Sequence, residues 1–171
     1  MTKRKVHIFI TSRRWANLNA PLAPDFADDD EEYEDEDEGL YDTENTDGEP
    51  LELMTEGHLV TGPARVELVY DEGALSGMEG SVTSIGFDRA SPHVITMMRS
   101  GLVRTAMVFE LQKRHMSVYE TPFTTFSVCV TARKVVNRLF EDGTIQLHYT
   151  TAVNGQQTEL CHMTVKVTPA D

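Results

Sequence analysis

Apolar and polar residues alternate along most of this chain with a period of two. Val6, Ile8 and Ile10 take turns with His7, Phe9 and Thr11, the pattern of a strand with one buried face. The same alternation predicts strands over residues 3–12, 65–72, 81–87, 93–99, 102–110, 116–121 and 125–132. A further strand carries Ile145, Leu147, Tyr149 and Val153 on one face, and a last one carries Cys161, Met163, Val165 and Val167 inward with Leu160 outward. Turn signals punctuate them at Ser100-Gly101, Asp142-Gly143 and Asn154-Gly155. No segment shows a 3.6-residue apolar stripe. Residues 137–140 read as a brief irregular piece in a β-branched surrounding. Many short strands joined by tight turns give an all-β fold. Hairpin connections favour an up-and-down meander, and closure removes exposed edges, so the expected architecture is a closed antiparallel barrel of about 8–10 strands.

One stretch breaks the pattern. From Asp25 to Glu49 there are fifteen Asp or Glu and no Lys or Arg, and Asp28 to Glu38 holds ten acids in eleven residues. Such a block repels itself and lacks the apolar surface to fold alone. It divides the chain into a first barrel strand over residues 1–15, an acidic disordered loop over 16–49, and the rest of a single β-barrel domain over 50–171. The net charge of −13 is therefore local, because outside the block 13 acidic side chains face 15 basic ones. The 171 residues suit one domain. Cys129 and Cys161 have no paired spacing, which predicts reduced thiols and a cytoplasmic protein. The basic start lacks the apolar stretch of a signal peptide, and no run approaches the roughly 20 apolar residues of a membrane helix.

The ordered series Tyr70-Asp71-Glu72, Gly77, Met98-Arg99-Ser100-Gly101, Phe109, Tyr119-Glu120-Thr121-Pro122-Phe123 and Tyr149 resembles the YwiB-like family. These are small bacterial calycin-like (lipocalin-like) β-barrel proteins of unknown function. The resemblance covers residues 50–168 together with the first strand at 3–12, and it rests on the order and spacing of the motifs. The chain departs from the family in its longer acidic insertion and in Thr124, where a glycine commonly follows the Thr-Pro-aromatic run. The resemblance implies the barrel and implies no activity, since a fold does not supply one.

Two charged residues fall on apolar faces. Glu72 is in phase with Val66, Leu68 and Tyr70, and Arg99 with Ile95 and Met97. Inward charges are costly unless paired and hydrogen-bonded. The two are therefore predicted to pair at one end of the barrel, with Tyr70, Tyr119 and Tyr149 nearby as hydroxyl partners. The pair reads either as an anion- or carboxylate-recognising floor for a small ligand, since arginine presents a forked donor set, or as a structural pair that fixes strand register. An acid–base role for Glu72 is opposed by the neighbouring arginine, which favours the ionised carboxylate.

The remaining candidates are weaker. His58, His93 and His115 are scattered, Cys161 and His162 face opposite sides of a strand, and His148 points away from Tyr149, so no metal site is expected. Cys129 lies on the more polar face and Cys161 on the inward one, neither with a sequence-near base. Met97, Met98, Met107 and Met163 read as core fillers, or as the lining of an adaptable cavity if the barrel is not filled. The basic cluster of Arg133, Lys134 and Arg138 has no aromatic stacking motif beside it and argues poorly for nucleic acid. The expected function is a non-enzymatic small-molecule binding module without cofactor. Two alternatives stand: a protein-interaction module with a solid barrel and residues 25–49 contacting a basic partner, and a hydrolase or isomerase using Glu72.

Overall fold

The computed structural model describes residues 1–16, 49–73, 78–154 and 156–170. Ten strands follow in chain order: β1 (Thr2–Ala16), β2 (Glu49–Thr61), β3 (Arg65–Asp71), β4 (Ser81–Asp88), β5 (Ile95–Gly101), β6 (Thr105–Phe109), β7 (Arg114–Glu120), β8 (Thr125–Arg138), β9 (Thr144–Val153) and β10 (Gln156–Pro169). They form one antiparallel sheet in the order β6-β5-β4-β3-β2-β1-β10-β9-β8-β7. The two edge strands are consecutive in sequence, and the sheet curls until they meet. Glu120 N–H donates to Arg104 O at 2.8 Å and Arg104 N–H to Glu120 O at 3.0 Å, which stitches the seam at one point and leaves the barrel nearly closed. The expected acidic loop, along with Gly77 and Gly155, falls on residues outside those described; its flanks, Ala16 and Glu49, belong to β1 and β2.

The alternation read from the sequence sets the inward face. Val6, Ile8 and Ile10 of β1, Val66, Leu68 and Tyr70 of β3, and Ile145, Leu147 and Tyr149 of β9 are all buried. Each such aliphatic side chain contributes about 1.5–3 kcal/mol on leaving water. Leu160 differs from expectation. It belongs to the outward phase of β10 yet is buried, because its strand partner is Trp15, whose indole lies on the same face.

Three element boundaries also differ from the sequence reading. β2 carries no clean apolar alternation because Thr55 and Gly57 occupy inward positions, so it was not separable by pattern. Gly57 is needed there for space: a Cβ would lie 2.4 Å from the Val69 carbonyl oxygen and 2.6 Å from Ile8 Cδ1. Ser100 and Gly101 end β5 instead of forming a turn, paired with Val82 and Ser81. Gly101 has φ +117°, and a Cβ there would meet the Gly80 carbonyl oxygen at 2.4 Å, so its glycine serves a close backbone approach. β8 runs on through Arg138, past a register shift between Ala132 and Lys134, and the irregular stretch begins only after it.

Candidate functional site

Strand direction brings the ends of β1, β3, β5, β7 and β9 to one end of the barrel, here called upper. The pairings Tyr70↔Thr83, Thr83↔Arg99 and Arg99↔Thr105 place these four residues in a row across β3 to β6. Glu72 follows directly on β3, tied by its N–H to Ser81 O at 2.9 Å. Its carboxylate is the hub of the row. Thr83 Oγ1 donates to Glu72 Oε1 at 2.5 Å, and Arg99 Nε donates to the same oxygen at 3.4 Å. The Glu72 side chain is 1% exposed and that of Arg99 12%. No hydrogen bond from the two terminal nitrogens of Arg99 to any described residue accompanies the Nε contact.

The tyrosines divide. Tyr70 lies within hydrogen-bonding reach of Thr83 and Glu72, and burial together with the Glu72 charge pushes its hydroxyl pKa well up. Tyr149 is buried too, and burial again raises its pKa; its hydroxyl is directed at the Cys161 thiol, with the Arg14 and Arg99 charges close enough to be felt. Burial likewise raises the Cys161 thiol. Arg14 comes in from β1, 3.8 Å from Glu159 and within reach of Cys161. Tyr119 stacks on Phe126 with ring centroids 5.0 Å apart and sends its hydroxyl to Met78 Sδ at 3.6 Å. Near the seam, Thr105 Oγ1 and Ser117 Oγ are buried with no hydrogen-bond partner among the described residues. Buried hydroxyls nearly always have partners, which makes these two notable among the described residues.

The opposite end holds a cavity of about 180 Å³ walled by Val6, Leu59, Leu139 and Val167, with Arg4 and Lys5 on its rim. Among the described residues no group of three His, Cys, Asp or Glu is placed to hold a metal ion, and no helix is long and apolar enough to cross a membrane.

The fold and the site can be set beside known proteins. Residues 38–165 match the model of a family described as Domain of unknown function (DUF1934). The chain belongs to this family. The crystal structure of the YwiB protein from Bacillus subtilis is similar over 99% of this chain and 94% of that one, with a TM-score of 0.66 at 16% sequence identity. At that identity the likeness is one of fold. No curated protein sequence matches the chain.

Within this DUF1934 barrel the sequence pattern located Glu72, Arg99 and Tyr70 together, and Tyr149 within range of the Arg99 charge. It missed Thr83 and Arg14. The signal for both was present: Thr83 is a polar residue in phase with Ile85 and Phe87, and Arg14 a charged one in phase with Val6, Ile8 and Ile10. It also missed an outer-face cluster, because cross-strand neighbours cannot be seen without register. Arg13, His162, His148 and Lys134 form a row across β1, β10, β9 and β8. The two imidazoles stack at 3.6 Å with a 7° interplanar angle, and Trp15 meets His162 edge-on at 4.7 Å. Partial burial, the neighbouring ring and Lys134 push His148 down to about 4, so the ring is neutral at pH 7.

Proposed function

We propose that this chain is a non-enzymatic binding module, a barrel of the calycin-like (lipocalin-like) kind whose upper end recognises the anionic group of a small molecule. The observation that carries this reading is the state of Arg99. A single Nε contact anchors it to a buried carboxylate, while its terminal nitrogens have no hydrogen-bond partner among the described residues and the side chain keeps a 12% opening. A guanidinium so held presents the forked donor geometry that matches carboxylate or phosphate. Thr105, paired with Arg99, and Ser117 add two hydroxyls with no hydrogen-bond partner among the described residues. Glu72 reads as the anchor of this arrangement and not as an acid or base, because its side chain is 1% exposed and one oxygen already accepts from Thr83 and Arg99.

The test is thermal unfolding of the whole chain in the presence of acetate, benzoate or inorganic phosphate, beside an Arg99→Lys variant. Lysine keeps the charge and loses the fork. A probe present at a hundred times its Kd stabilises a native state by about 2.7 kcal/mol. Stabilisation of the wild type by at least one probe, absent from the variant, supports the reading. Equal behaviour of the two proteins with every probe would make the ion pair structural.

A further inference from the structure

The outer face of the seam has a pattern that the ligand reading does not use. β7 turns Arg114, Met116, Val118 and Glu120 outward, all of them exposed. Along β6 and the residue on either side of it, the outward positions are Arg104, Ala106, Val108 and Glu110. Met116 and Val118 are 55% and 51% exposed, and Met98 of β5, paired with Ala106, is 51% exposed. Counting on from the Arg104–Glu120 bridge, Ala106 lies level with Val118, Val108 with Met116, and Glu110 with Arg114. Each strand therefore has an apolar middle and ends of opposite charge, and the two strands carry those charges in opposite order. Apolar patches rimmed by charge of this kind mark interaction surfaces.

We propose that this face is the contact between two copies of the chain. Charge complementarity under two-fold symmetry, the commonest symmetry of protein pairs, selects a second copy as the occupant. An axis lying in the contact plane, perpendicular to β7 and passing over Ser117, sets each strand antiparallel against its own copy. Arg114 then faces the second copy's Glu120, and Glu120 faces its Arg114. Arg104 and Glu110 exchange in the same way. Met116 meets Val118, and Val108 meets Ala106. Every charge finds its opposite and every apolar residue an apolar one, a self-match that an arbitrary partner would not require. Within one protomer Arg104 and Glu120 already pair at 3.8 Å, and Glu110 accepts Lys113 at 3.3 Å, so the second copy extends existing ion pairs into a network around the apolar centre.

Sedimentation equilibrium on the full chain tests this, with circular dichroism to show that each variant is folded. The wild type is expected to dimerise, and Val118→Asp to prevent it. Arg114→Glu and Glu120→Arg are each expected to weaken self-association by roughly tenfold or more, since each variant sets like charges face to face. Mixing the two single variants restores opposite charges across the contact, and the mixture is expected to form a heterodimer that neither protein forms alone. A monomeric wild type at several hundred micromolar would overturn the proposal. So would a dimer indifferent to Val118→Asp, or a mixture no more associated than its components.

Discussion

Replacing Arg99 by methionine is expected to destabilise the fold by about 3–5 kcal/mol, the usual result of removing one partner from a buried ion pair. The magnitude follows from what stays behind. Glu72 is 1% exposed and sits inward of β3 among Leu68, Tyr70 and Thr83, where its carboxylate would keep a hydroxyl donor and lose its only cationic donor among the described residues. The Coulombic gain of the pair itself is small once desolvation is counted; the cost lies in the stranded charge. A second substitution separates these contributions. Glu72→Gln on top of Arg99→Met removes the charge and should recover a substantial part of the loss. Urea unfolding of the three proteins checks both statements. A loss below about 0.5 kcal/mol for the single variant, the range of ordinary surface changes, would show that water reaches the pair freely.

Phe109→Ala is expected to cost about 3–5 kcal/mol, the range for emptying a large aromatic site in a core. Phe109 is fully buried at the end of β6, paired with Ile95, and its ring lies 4.7 Å from that of Tyr149 at a 60° tilt. The contact crosses the barrel interior, since β6 and β9 are not neighbours in the sheet. Removing the ring leaves a void beneath Tyr149 that rigid strands on either side cannot close. The Tyr149 hydroxyl, directed at Cys161 near Arg14 and Arg99, should lose its fixed position as well. Phe123→Ala supplies the control: that ring is 96% exposed, and its loss should change stability by less than about 0.5 kcal/mol. Denaturant melts of the two variants give the comparison, and similar losses from both would contradict the packing described here.

The parts of this molecule legible in the sequence are those that a period of two controls. Val66, Leu68, Tyr70 and Glu72 share parity, and so do Ile95, Met97 and Arg99; a barrel with one buried face then forces Glu72 and Arg99 inward, where charges of opposite sign need a partner. Parity says nothing about which strand stands beside which. Thr83 and Thr105 belong to the same cross-strand row as Arg99, yet only the register of β4, β5 and β6 shows it. The stacking of His148 on His162 and the two-fold charge pattern of β6 and β7 depend on register in the same way. β2 escaped the pattern because Gly57 stands where an inward apolar residue would otherwise mark the strand, and a glycine chosen for space leaves no hydrophobic signature. Tyr119 shows the complementary limit: its inward parity was readable, but the contact of its hydroxyl with Met78 depends on where β7 meets the seam.

In the proposed function a small anionic molecule occupies the upper end of the barrel, at the site that Glu72 and Arg99 organise. Native mass spectrometry of the full chain isolated from its own cells, beside the Arg99→Lys variant prepared in the same way, tests it most directly. A bound small molecule of defined mass is expected on the wild type and missing from the variant, and that mass would name the ligand. A bare chain mass for both proteins, with the variant folded, would contradict it and leave the Glu72–Arg99 pair as a device that fixes strand register.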